Sequence, residues 1–207
     1  MTDGPSIPPP PPSGGNSSLV NRVINILTKP ASEWRVIEAE PSSTGKLITY
    51  AALLSVLPVI FALLSILISP IGTLIFQVPS LLIKLLILTY LTALVPPIAL
   101  GYIMDALTPQ LGGQKNSLNA MKLCIYACTA YWVGAVGLIL SPWLWVLLGA
   151  GYAGYLLWIG TPILMKTAAD KTPIFVGAAV GILVVLFIVL NMIAQRVIFS
   201  GMMYGMY

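Results

Sequence analysis

Lys115 and Lys122 stand seven residues apart in "GGQKNSLNAMK", the most polar stretch of an otherwise apolar chain. Gly112 and Gly113 break the chain before them, and Asn116 or Ser117 can cap a helix beginning there. The spacing puts both ammonium groups on roughly one face of that helix start. A helix N-terminus offers unpaired N–H groups and the positive end of the peptide dipoles, so adjacent lysines there suit an anion. The same residues also read as a positively charged connector between two buried segments, and both readings stay open. Catalysis is not indicated, because no nucleophile stands with a base partner. The chain has no histidine, the usual general base near neutral pH and the commonest metal ligand.

Other residues are weighed in the same way. Cys124 and Cys128 lie one helical turn apart in an apolar run. No histidine or second cysteine pair completes a metal site, so two small buried packing residues are the better reading. "GAGYAG", Gly149 to Gly154, matches the dinucleotide-binding pattern, but that pattern needs a preceding strand and a βαβ unit. Here it lies within a long apolar segment, where small residues let helix backbones approach closely. Gly177 and Gly181 form a Gly-x-x-x-Gly in the fifth segment, and Gly134 and Gly137 thin the third. A tight bundle, or a homo-oligomer through Gly-rich helix faces, follows. No cofactor or metal is expected, and no cluster of Lys and Arg suggests nucleic acid.

The elements that must position these residues are membrane helices. Hydrophobic residues make up 58% of the chain and charged residues 8%, against about 25% charged in a soluble domain. Five apolar segments run about Leu47–Ile68, Leu81–Met104, Met121–Leu140, Trp143–Met165 and Ile174–Ile198. Each approaches the ~20 residues needed to cross a ~30 Å hydrocarbon core. Only helices close their own backbone hydrogen bonds there, so the expected fold is an all-α membrane protein with five transmembrane helices.

Residues 1–18 carry five consecutive prolines among Gly and Ser, and read as a disordered tail rather than a signal peptide. Residues 19–45 read as two short interfacial helices. In the first, Leu19, Val20, Val23, Ile24 and Leu27 share one face, with Asn21, Arg22 and Asn25 opposite. In the second, Trp34 and Ile37 share a face, with Trp34 at headgroup depth. A cap packed on the bundle is the alternative. Residues 46–199 form the bundle and 200–207 a short tail.

The connection Ser141–Trp143 is so short that the third and fourth spans must form an antiparallel hairpin, anchored by Trp143 and Trp145. Pro96 and Pro97 interrupt the second span and predict a kink. Broken helices line substrate sites in transporters, which makes a small-solute or lipid transporter the rival function. Lys84, a few residues inside the same span, can snorkel to the interface.

Arg22, Lys29, Arg35, Lys46, Lys115, Lys122, Lys166 and Lys171 all fall on one side of a five-span chain, leaving Lys84 and Arg196 opposite. The positive-inside rule places the N-terminus in the cytoplasm and the C-terminus outside.

Three ordered blocks also carry a family likeness. "ILTKPASEWRVIEAEPSSTGKL" holds Pro30 and Trp34 in a Pro-x-x-x-Trp entry. "DALTPQLGGQKNSLNAMKLCIYACTAYWVG" holds Asp105, the Gly-Gly-Gln-Lys-Asn run, Lys122 and Tyr126. "YLLWIGTPILMKTAADK" holds Tyr155, Gly160, Pro162, Met165, Lys166, Asp170 and Lys171. From about Leu19 to Ala194 the chain resembles a bacterial member of the Yip family, five-span proteins related to eukaryotic Rab-GTPase-interacting membrane proteins. Ala130 and Ala168 stand where a proline is common in that family. The resemblance implies an inner-membrane protein without catalytic residues; its eukaryotic side implies binding of prenylated GTPases in vesicle traffic or membrane shaping.

Together these features predict a non-enzymatic inner-membrane scaffold or adaptor. Its contact face would comprise Trp34, Asp105, Lys115, Lys122, Asp170 and Lys171, meeting anionic lipid or another membrane protein. The charge split gives a direct test. Cysteines placed at Ser13 and Gly205 should label from opposite sides of the membrane, and labelling of both from one side would exclude five spans.

Overall fold

Where no water reaches the backbone, each N–H and C=O must find its partner inside the protein, and helices do this segment by segment. The computed structural model describes residues 18–70 and 72–204, and among them there is no strand. The proline tail before Ser18 lies outside the described residues.

Two short helices, α1 (Leu19–Thr28) and α2 (Pro30–Ala39), precede the bundle. Ser18 caps α1 through its side chain, and Pro30 opens α2 at a position where no backbone N–H is needed. The first span, Thr44–Ile68, is α3 (Thr44–Leu54) and α4 (Val56–Ile68) jointed at Ser55. A short α5 (Gly72–Phe76) leads to the second span, α6 (Pro79–Leu107). The third, Ser117–Ile139, joins α7 (Ser117–Ala127), α8 (Thr129–Gly134) and a 3₁₀ segment (Ala135–Ile139). The fourth, Pro142–Leu164, joins α9 (Pro142–Trp145), a π segment (Val146–Gly151) and α10 (Tyr152–Leu164). The fifth is α11 (Thr172–Tyr204), which stays helical beyond residue 199. All five spans fall within a few residues of the segments read from hydropathy.

The third span is the axis of the bundle: 61% of its apolar window is buried, against 17% to 33% in the other four. Its Leu123, Cys124 and Ala127 pack with Leu156, Leu157 and Phe175 in one cluster. On its other side Ile125, Cys128 and Trp132 pack with Leu47, Tyr50 and Ala93. The two cysteines are free thiols within these clusters, as expected of packing residues.

Two expectations are corrected. The second span is not interrupted: α6 continues through Pro96 and Pro97, and both prolines are buried. Pro97 cannot donate to the Ala93 carbonyl, and Trp132 Nε1 does so instead at 3.0 Å. In α1 the inward face is Arg22 and Ile26, while Leu19, Val20 and Ile24 are exposed. Leu19, Val20 and Ile24 stay outward as an interfacial helix requires, and what apolar periodicity does not disclose is the buried pair of Arg22 with Glu33. Trp34 does not reach lipid headgroups, because its side chain is fully buried between α7 and α10. The cap packed on the bundle, the alternative, is what forms.

The glycines divide by use. Gly134 and Gly149 face each other so closely that a Cβ on Gly134 would lie 2.7 Å from Gly149 Cα, and Gly137 meets the Trp145 backbone at 2.8 Å. These close the hairpin of spans three and four. Gly160 is the seat of Trp34: a Cβ there would lie 2.7 Å from the indole ring and from Leu123 Cδ1. Gly151 and Gly154 have open space. Replacing Gly160 with Ala should therefore destabilise the protein by about 1–3 kcal/mol, the usual cost of overpacking. Gly154→Ala should stay within about 0.5 kcal/mol. Thermal unfolding in lipid measures both, and equal effects would show that Trp34 is not seated as described.

Candidate functional site

The starts of spans one, three and five and the ends of spans two and four meet at one end of the bundle, and the charged residues gather there. The α1–α2 hairpin brings Arg22 over α2. Its Nη1 donates to Glu33 Oε1 at 2.5 Å and its Nη2 to Glu40 Oε2, while the guanidinium lies 5.7 Å from the Tyr126 ring centroid. Arg22 and Glu33 are only 4% and 6% exposed. Burial of such a pair is tolerated because each charge neutralises the other and satisfies its hydrogen bonds.

Lys122 lies on the second turn of α7, directly beneath α2, and is 3% exposed. Its Nζ donates to the carbonyls of Ile37 at 2.7 Å, Glu40 at 2.8 Å and Glu38 at 3.4 Å. The Ile37 and Glu38 carbonyls belong to the last turn of α2, where no intrahelical donor remains. A cation there also meets the negative end of the helix dipole. The α2 C-terminus is thus capped by a lysine from another span.

A third tie comes from Lys166, whose Nζ pairs with Glu38. Lys166 follows the end of α10 with φ 53°, a left-handed position usually filled by Gly or Asn. The loop before α7 packs on the loop after α10: Gln114 N donates to the Met165 carbonyl at 2.8 Å, and Asn119 Nδ2 to that of Leu164 at 3.1 Å. Gly112, at φ 77°, sits against the stem of Lys171, whose Cγ would lie 2.9 Å from a Cβ there.

Of the residues singled out from sequence, Lys115, Asp170 and Lys171 are exposed at this end. Asp105 is half-buried near the end of α6, with Oδ1 buried and without a hydrogen-bond partner. Trp34 and Lys122 lie beneath the surface and offer nothing to an external ligand. The pairing of Lys115 with Lys122 as one anion site is therefore corrected: the α7 start turns Lys122 inward, toward α2. Residues missed from sequence are Arg22, Glu33, Glu38 and Glu40. The signal was there, since all three glutamates of the chain lie within eight residues, beside the membrane. Carboxylates so placed call for cations nearby. Among the described residues, no group of three or more His, Cys, Asp or Glu side chains could hold a metal.

The Yip1 domain profile matches residues 24–190. The chain belongs to the Yip1 domain family. No curated protein and no solved structure matches it. The Yip1 match covers Glu33, Glu40, Lys122, Lys166 and all five spans up to residue 190, and begins two residues after Arg22. This Yip1 protein is accordingly a multi-pass membrane protein whose helical cap is pinned to the bundle by ion pairs and a lysine cap.

Removing one member of a buried pair leaves an uncompensated charge and costs about 3–5 kcal/mol, whereas apolar replacement of both is often neutral. Arg22→Met should thus strongly increase hydrogen exchange in α1 and α2, and adding Glu33→Leu should recover part of the loss. If Arg22→Met leaves exchange unchanged, the pair does not hold the cap.

Proposed function

We propose that this Yip1 protein is a non-enzymatic scaffold or adaptor whose charged end binds anionic lipid headgroups, with that end cytoplasmic in a bacterial inner membrane. The carrying observation is the division of charge at this end. Arg22 and Lys122 are engaged inside the cap by carboxylates and carbonyls, and Lys166 is paired with Glu38 at its surface. Lys29, Arg35, Lys46, Lys115 and Lys171 remain exposed, and Asp170 is the exposed acid among the described residues. Beside them Leu19, Val20 and Ile24 present apolar surface on α1. A basic surface edged by apolar side chains matches the boundary between anionic headgroups and acyl chains. A membrane protein docking through carboxylates or phosphates would use the same surface. The charge asymmetry supports the cytoplasmic placement, and α6, continuous through its prolines, gives the transporter reading no broken helix.

Near a membrane surface each lysine contributes about 1 kcal/mol toward anionic lipid. Lys115→Gln with Lys171→Gln should weaken retention of phosphatidylglycerol about ten- to thirtyfold in native mass spectrometry, with the fold intact. Lys122→Gln should leave retention nearly unchanged and loosen the cap. Equal retention by wild type and the Lys115/Lys171 variant would remove the lipid-binding reading.

A further inference from the structure

The fifth span has a second, unpartnered face. Phe175, Val176, Ala179 and Ala194 turn α11 into the bundle. On the far side Gly177, Gly181, Val184, Ile188, Asn191 and Gln195 are all exposed. Their spacing is 4, 3, 4, 3, 4, the 3.5-residue repeat that keeps one helix against another along its length. Among the described residues, nothing outside their own helix backbone lies within 4 Å of a Cβ placed on Gly177 or Gly181, so their smallness serves no contact there.

The two carboxamides are the independent observation. Span five runs Thr172–Ile198, so at ~1.5 Å per residue Asn191 lies about 9 Å from its midpoint. That is inside the ~15 Å half-thickness of the hydrocarbon, with Gln195 at its edge. Asn191 Nδ2 bonds only the Phe187 carbonyl of its own helix, at 2.8 Å, and Gln195 has no side-chain partner among the described residues. Lipid chains offer no hydrogen bonds to such groups, whereas another helix does.

The geometry points to a parallel homodimer in which α11 of one copy packs along α11 of a second. A second copy is the occupant because all copies share one orientation in the bilayer. A two-fold axis along the membrane normal therefore sets Asn191 against Asn191 of the other copy at equal depth. A carboxamide both donates and accepts, so identical groups complement each other. Gly177 and Gly181 let the backbones approach at the other end of the seam. This face is separate from the proposed lipid-binding end.

The open space around the glycines provides a test that spares the fold. In vesicles of phosphatidylethanolamine and phosphatidylglycerol, Gly181→Leu should weaken the dimer at least tenfold by fluorescence energy transfer, with monomer unfolding unchanged. Asn191→Leu should weaken it about three- to tenfold, the range expected for an interhelical hydrogen bond in lipid. Cysteines at Val184 and Ile188 should cross-link between copies, and one at Val189, equally exposed but off the seam, should not; native Cys124 and Cys128 are buried. Cross-linking of Val189→Cys as efficient as Val184→Cys, full dimerisation of Gly181→Leu, or a monomer at every protein-to-lipid ratio would each overturn the proposal.

Discussion

The Lys122 ammonium, held by the carbonyls of Ile37, Glu38 and Glu40, is the interaction on which the charged end depends. It satisfies the C-terminal carbonyls of α2, and it does so from the most buried span. Without it the buried Ile37 carbonyl would lose its donor, at a cost of roughly 1–3 kcal/mol. With it, α2 is fixed in height and direction, Trp34 drops into the Gly160 seat, and Glu33 and Glu40 face Arg22.

The same constraint recurs at other irregular points in the bundle. Leu27, in the last turn of α1, gives its carbonyl to Tyr152 Oη at 2.6 Å. Where the third span tightens into a 3₁₀ segment, the Ala135 N–H turns to Trp132 and Val133, and the Tyr131 carbonyl accepts from Trp145 Nε1 at 2.9 Å. At the Ser55 joint the Ala52 carbonyl accepts from Tyr90 Oη at 3.3 Å. With Trp132 on the Ala93 carbonyl, these bonds join helices at the places where a helix departs from regularity. An irregularity in a membrane helix is therefore also an attachment point, since its freed carbonyl requires a donor from a neighbour.

This explains what the sequence could and could not disclose. Five spans were legible because hydrophobic length and the helix rise leave little freedom. The short Ser141–Trp143 link disclosed the hairpin for the same reason. The inward face of α1 was not legible: Leu19, Val20 and Ile24 look like core in a water-soluble helix, and only the three-dimensional position of Glu33 makes Arg22 an interior residue. Trp34 and Lys122 were recognised as notable but given the wrong surroundings. A tryptophan near a span suits a headgroup, and a lysine at a helix start suits an anion, unless another helix lies above them. Lys115, Asp170 and Lys171 kept their surface positions because the loops carrying them are too short and polar to be covered.

Glu33 is buried against Arg22, while Glu40 and Glu38 stay partly exposed, each held against a cation. Glu33 is fully committed to Arg22, Glu40 is shared between Arg22 and the Lys122-capped turn, and Glu38 is tied to Lys166. The cap engages three cations along with the three glutamates, so the excess of lysine and arginine outside it is the net charge of this end and is not created by the pairing. The ion pairs thus fix the cap to the bundle and commit each glutamate to a particular cation.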